Sequence, residues 1–217
     1  MDFDLAQTDA LLSTTRSVRR RLDLDRPVDR ALLEQCLELA IQAPTGGNAQ
    51  SWRWLVIDDP AAKAAVGESY RRMAERFLPL YRRGVGPDPQ TARVLDSAEY
   101  LAGVIGRAPV LVIPCIEGRL RDTSPMAAAS MYGSILPAVW SFQLALRSRG
   151  LGSCFTTLHL ADEETAAKVL GIPSDVTQVA LLPVAYTRGT DFAPAVRRGI
   201  ARITYWNRWN STEPSAS

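Results

Sequence analysis

Apolar positions along the chain change their period several times, and each change marks an element. Over residues 28–42 they recur at helical spacing, with Leu32, Leu33, Cys36, Leu39 and Ala40 on one face and Asp29 placed to cap the start. Pro44 and the Gly46-Gly47 pair end that helix, because Pro and paired Gly break it. Trp52–Ile57 predicts a strand, and Asp58-Asp59-Pro60 turns out of it. Residues 61–77 predict a charged helix, 83–90 a mobile Gly/Pro loop, and 92–104 a further helix. Residues 109–116 form an apolar, β-branched run without alternation, which predicts a strand buried on both faces. Residues 126–146 carry no charge and predict one buried central helix. Further strands are expected at 153–157, 178–186 and 200–205, and a helix at Glu163–Leu170 closed by Gly171 and Pro173. At the ends, residues 9–16 predict a short helix and 210–217 a disordered tail. Strands and helices mix without strict βαβ alternation, so the expected architecture is a single α+β layered domain over 1–217.

Composition narrows the class. A chain of 217 residues with 47% hydrophobic and 22% charged residues supports one substantial core. A net charge of +2 provides no global field toward nucleic acid. Cys36, Cys115 and Cys154 lie far apart with no CxxC pair, and His159 is the sole histidine, so no zinc site is expected and a reducing cytoplasm fits. Met1-Asp2-Phe3-Asp4 is acidic where a secretory signal would be basic, so none is expected. Residues 126–146 approach the length of a membrane span. Their alanines, with Ser130, Gly133, Ser134, Pro137, Ser141 and Gln143, suit close helix packing in a protein core instead, and no membrane is expected. Neither GxGxxG nor GxxxxGK[ST] occurs.

Four segments could carry chemistry. In Thr15-Arg16-Ser17-Val18-Arg19, arginines offer paired charged hydrogen bonds to a phosphate and Ser17 adds a hydroxyl; a solvated basic turn fits the same residues. In the segment from Ala43 to Trp52, glycines let the backbone approach a flat ligand, and Asn48 offers a donor and an acceptor to an imide edge; a plain helix-to-strand loop also fits. Gly150-Leu151-Gly152-Ser153-Cys154-Phe155-Thr156-Thr157 puts polar groups at the end of a buried strand, a usual place for ligand contacts, or for capped hydroxyls. Arg197-Arg198 is a second basic pair, either a second phosphate site or an exposed charge pair.

Taken together and in this order, the segments resemble the nitroreductase family of FMN enzymes, over about Ser13 to Trp209. The family's RRSVR opening corresponds to TRSVR, its APSxxNxQPW to Ala43-Pro44-Thr45-Gly46-Gly47-Asn48-Ala49-Gln50-Ser51-Trp52, its GLG after a long helix to Gly150-Leu151-Gly152, and its late arginine to Arg197. Thr15, Ser51, the Trp140-Ser141 pair and Gly199 depart from the family pattern. The iodotyrosine-deiodinase and flavin-destructase branches are also similar, particularly between Ser97 and Cys115.

The resemblance implies a nitroreductase-like α+β fold, with a mainly antiparallel sheet flanked by helices, in an entwined homodimer. FMN would lie at the dimer interface, and the stretch from Tyr205 to Trp209 would wrap the partner. It further implies that Arg16, Ser17 and Arg197 hold the phosphate and ribityl end and that Arg19 stands near flavin N1 and O2. Thr45, Asn48 and Gln50 would contact the ring or ribityl chain, and Phe155, Thr156 and Thr157 would line the N5 side. Hydride would pass from NADH or NADPH through flavin N5 to a flat acceptor such as a nitroaromatic or quinone, in ping-pong fashion and with no catalytic side chain required. Residues 70–90 would form a lid. A flavin-fragmenting or dehalogenating enzyme of the same fold, and a flavin-binding protein without turnover, are the alternatives.

Overall fold

The computed structural model describes residues 2–84, 88–120 and 124–211, and these fall into two compact units, residues 15–191 and a smaller one of 2–14 with 192–211. The loop expected at 83–90 and the tail expected at 210–217 lie partly outside the described residues (85–87 and 212–217).

The larger unit is built on a six-stranded sheet with β1 (Leu22–Asp23), β2 (Trp52–Ile57), β3 (Val110–Glu117), β4 (Leu151–Ser153), β5 (Val176–Gln178) and β6 (Leu182–Thr187). The order is β1-β6-β3-β2, with β4 also paired to β6 and β5 to β3, and every strand pair is antiparallel. The α+β expectation therefore stands. β3 is the apolar run read from the sequence, and Val110 to Ile116 are buried throughout, as a strand covered on both faces requires.

Its helices are α2 (Arg30–Ala40), α3 (Pro60–Gly84), α4 (Pro89–Val104), α5 (Pro125–Gly133), α6 (Leu136–Ser148) and α7 (Glu163–Leu170). α2 begins where Asp29 accepts from Ala31 N–H at 2.9 Å. Its apolar face (Leu33, Cys36, Ala40) packs on α6, and both helices close over Val110, Val112 and Val184 of the sheet. Phe142 of α6 lies fully buried there, its ring 5.4 Å from that of Trp54. Each large side chain so buried contributes about 1.5–3 kcal/mol. α7 ends at Gly171, whose φ of 66° is the left-handed conformation that glycine adopts freely.

Several expectations need correction. Residues 126–146 are two helices, because Pro137 has no N–H to continue the ladder and its ring would crowd the carbonyl of Gly133; α5 stops at Gly133 and α6 restarts at Leu136. The strand expected at 153–157 is Leu151–Ser153, with Thr156 beyond it making only an isolated bridge to Leu181. A glycine is tolerated inside that strand because a Cβ at Gly152 would lie 2.6 Å from Thr187 Cγ2 and 3.0 Å from Val18 Cβ. The strand expected at 178–186 is β5 and β6. Pro114 of β3 cannot donate to a ladder, and opposite it the register slips by one residue between Cys115↔Gln178 and Val112↔Leu182. That slip is a β-bulge, in which Val179 N–H reaches Pro114 C=O at 2.9 Å. Residues 200–205 form no strand; Ile200–Arg202 is a 3₁₀ turn. Helix α3 also runs on past residue 77 to Gly84, through Pro79.

In the smaller unit, α1 (Leu5–Thr14) starts where Asp4 Oδ1 accepts from Gln7 N–H at 3.1 Å. It lies a few residues earlier than the helix expected at 9–16. The C-terminal stretch is held locally by the rings of Tyr205 and Trp209, 4.9 Å apart, and by left-handed turns at Asn207 and Asn210.

Candidate functional site

The arginine segment enters the larger unit beside β4. Val18 N–H donates to Ser153 C=O at 2.8 Å, and Ser17 pairs with Ser153 in a parallel bridge. Val18 is buried and anchors the segment, so Ser17 is left exposed and Arg19 half-buried on either side of it. Behind the strand, Gln143 of α6 donates from Nε2 to Ser153 Oγ at 3.0 Å.

Arg19 is held by neutral groups. Its Nη1 donates to Ser97 Oγ of α4 at 3.3 Å, and its charge lies close enough to the Cys154 thiol to lower that group against burial. Among the described residues no carboxylate is ion-paired to it. Arg21, two residues on, contrasts with this: it is paired to Asp191 at 2.6 Å. Arg20 donates to Asp96 C=O at 3.2 Å and lies over the Tyr100 ring at 4.9 Å, a second tie to α4. A half-buried guanidinium without an anion suits a ligand that carries negative charge or accepts hydrogen bonds.

Thr156 belongs to the same cluster. The β-bulge presents Leu181, which exchanges both backbone bonds with Thr156: Leu181 N–H to Thr156 C=O at 2.8 Å and Thr156 N–H to Leu181 C=O at 3.2 Å. The Thr156 hydroxyl and the hydroxyl of Tyr70, from α3, are 2.8 Å apart. Burial pushes the Tyr70 phenol up to about 12, partly offset by Thr156 and by the Arg19 charge. Burial also pushes the Cys154 thiol up, against Arg19, so Cys154 stays a thiol and a small buried side chain, not a nucleophile. Phe155 and Thr157 on either side are exposed.

The glycine–asparagine loop is seated elsewhere. Gly46 N–H donates to Ser134 Oγ at 2.9 Å, at the break between α5 and α6. A Cβ at Gly46 would meet Ser130 and Ser134 hydroxyls at 3.1 and 3.2 Å, so glycine permits this approach. Thr45 Oγ1 accepts from Gln50 N–H at 3.3 Å, and Gln50 Nε2 donates to Asn48 Oδ1 at 2.9 Å. Asn48 and Gln50 both have positive φ (53° and 48°), which non-glycine residues seldom adopt outside sites that require it.

The structure thus gathers Ser17, Arg19 and Thr156 in one cluster and Thr45, Asn48 and Gln50 in another. Arg16 is half-buried at the start of the larger unit, and Arg197 is exposed in the smaller one. Sequence reading placed Tyr70 at the start of a lid and missed its contact with Thr156, and it assigned no role to Ser97. Tyr70 sits in the charged stretch Glu68-Ser69-Tyr70-Arg71-Arg72, and no local pattern marks it.

Comparison with known proteins gives the family. The profile of the nitroreductase family matches residues 12–186, and the chain belongs to that family, a family of flavin oxidoreductases. It is 30% identical over 210 residues to the NADH dehydrogenase of Thermus thermophilus, covering 88% of this chain and 91% of that one. It is 27% identical over 215 residues to the 5,6-dimethylbenzimidazole synthase of Rhodobacter capsulatus, covering 91% and 93%. The crystal structure of a variant of an FMN- and NADPH-dependent nitroreductase from Sphigopyxis sp. strain HMH superposes with a TM-score of 0.68 at 25% identity, covering 93% of this chain and 99% of that one.

Proposed function

We propose that the protein is an FMN oxidoreductase that passes reducing equivalents from NADH or NADPH to a flat acceptor such as a nitroaromatic or a quinone. The observation that carries the reading is Arg19, a half-buried guanidinium that has no carboxylate paired to it among the described residues and that donates to Ser97, two residues from Ser17 in the same segment. The chemistry that bound FMN supplies is hydride transfer at N5, in from the nicotinamide and out to the acceptor. Arg19 would stand at the N1–O2 edge, where a fixed positive charge favours the reduced, anionic ring. Ser17 and Arg16 would hold the phosphate and ribityl end. Phe155, Thr156 and Thr157 would line the N5 edge, where the exposed Phe155 ring would limit the access of water. Of the lid expected over residues 70–90, Tyr70, Ala74 and Leu78 are packed into the core, and residues 85–87 lie outside the described residues.

Thr45, Asn48 and Gln50 complete the site in this reading from across a homodimer interface. The surface next to their loop supports that: Met126, Tyr132, Leu136 and Trp140 expose apolar side chains along α5 and the first part of α6, within the uncharged run 126–146, Met126 by 81%. β2, the last strand in the sheet order, offers an edge to a second chain, and the apolar C-terminal side chains Ile203 and Trp209 are suited to wrap it. Among the described residues no helix is long and apolar enough to cross a membrane, and the three cysteines are free and buried, which suits the cytoplasm.

Anaerobic stopped-flow reduction tests the reading: the flavin band bleaches with NADH or NADPH and returns on adding a quinone. A holoprotein that neither nicotinamide bleaches is a binding protein and not a reductase. The likeness to a dimethylbenzimidazole synthase favours flavin fragmentation as the second reading. Release of 5,6-dimethylbenzimidazole from reduced FMN and oxygen separates the two.

A further inference from the structure

We propose that Tyr70 is a positioning residue, whose hydroxyl donates to Thr156 Oγ1 and so leaves the Thr156 hydroxyl hydrogen as a fixed donor toward the cofactor. The inference rests on the FMN reading and goes beyond it, by assigning a role to a residue of α3 that would not itself touch the flavin.

Tyr70 is 1% exposed, and the partner of its hydroxyl is Thr156, at 2.8 Å. A phenol is a better donor and a poorer acceptor than an aliphatic alcohol, and a buried O–H left undonated costs about 1–3 kcal/mol. The pair is therefore ordered with Tyr70 giving and Thr156 receiving. Thr156 has two hydrogens to give, and its N–H is already spent on Leu181 C=O. Its hydroxyl hydrogen is what remains, on a side chain that is half-exposed where Tyr70 is not. Without Tyr70 the hydroxyl would turn freely, or point inward at the empty acceptor position. With it, one orientation is set before any ligand arrives, which is the form in which a hydrogen bond contributes most. The same α3–α4 pair holds Arg19 through Ser97, so one helical hairpin fixes both the cation and the hydroxyl.

The test uses reconstituted protein carrying Y70F, T156V, T156S or Y70F with T156V. Three quantities are read: the dissociation constant of FMN, the visible absorption band of bound FMN, and the rate of anaerobic reduction by the better nicotinamide. Y70F keeps the ring and removes only the hydroxyl. We expect FMN affinity to change less than about threefold, the band to shift in the same direction in Y70F and T156V, and reduction to slow about tenfold in each. The double variant slows no further, and T156S, which keeps the hydroxyl, slows reduction less than T156V. Should Y70F fail to fold, the T156V and T156S pair carries the same contrast. Wild-type spectrum and rate in Y70F, or losses that multiply in the double variant, overturn the inference alone. A wild-type protein that takes up no FMN overturns it together with the reading beneath it.

Discussion

Val18 N–H and Ser153 C=O, 2.8 Å apart, join the arginine segment to the short strand β4. That bond places Ser17 and Arg19 on one side of the strand and Gln143 on the other. It exists because Gly152 has no side chain: a Cβ there would overlap Thr187 Cγ2 at 2.6 Å and crowd Val18 at 3.0 Å.

Gly152→Ala should therefore act at a distance. Overpacking of this kind costs about 1–3 kcal/mol. Because Val18 must yield, Ser17 and Arg19 move with it. We expect a lower urea midpoint and FMN affinity weakened about tenfold, by fluorescence titration. A variant with wild-type affinity would detach the strand from the site.

Gly67 of α3 meets Gly106 at the turn after α4, where a Cβ would lie 2.6 Å from Gly106 Cα. Backbone is the obstacle, so no rotamer relieves it. Gly67→Ala should destabilise by about 2 kcal/mol in spite of alanine's better helix propensity. Gly103 of α4 faces open space, and Gly103→Ala should stabilise by about 0.5–1 kcal/mol. Chemical denaturation reads both. Equal signs for the two would contradict the packing described.

His159 is 1% exposed, and among the described residues neither ring nitrogen has a hydrogen-bond partner. Burial pulls it down to about 4 from its ordinary 6.5. Between those values the unfolded chain binds a proton that the folded chain does not, so stability falls as pH falls. The loss is about 3 kcal/mol by pH 4. Asp88 and Asp162 are also held below their ordinary 3.8, by hydrogen bonds from Thr91 and Ser69 respectively. Their contribution is lost around and below that value, and that of Glu68, held below its ordinary 4.5 chiefly by the hydrogen bond from Arg71, only at the acid end of the range, so His159 dominates above it. Unfolding midpoints taken from pH 7 to 4.5 should decline in wild type and flatten in His159→Leu. An equal decline in both would acquit the histidine.

The parts of this structure legible in the sequence are those set by neighbours in the chain. Asp29 caps α2, Trp52–Ile57 is β2 to the residue, and Gly171 closes α7. The break at Pro137 was legible in principle, but an uncharged run hides it by reading as one helix. Other features depend on residues remote from each other. β4 contains Gly152 because Val18 and Thr187 need its missing side chain, and the β-bulge answers Pro114 on another strand. Tyr70 and Thr156 are 86 residues apart, and Arg19 and Ser97 are 78 apart. Motif order located the arginine and GLG segments, yet only the fold revealed what holds them in place.

Retention of FMN tests the central claim most directly. The purified protein is mixed with excess FMN, passed through a desalting column, and its visible flavin absorption compared with its protein content. The account predicts about one FMN per chain, and retention reduced at least tenfold in Arg19→Ala, the usual scale for a hydrogen bond to a charged group. A colourless wild-type protein after the column would contradict it.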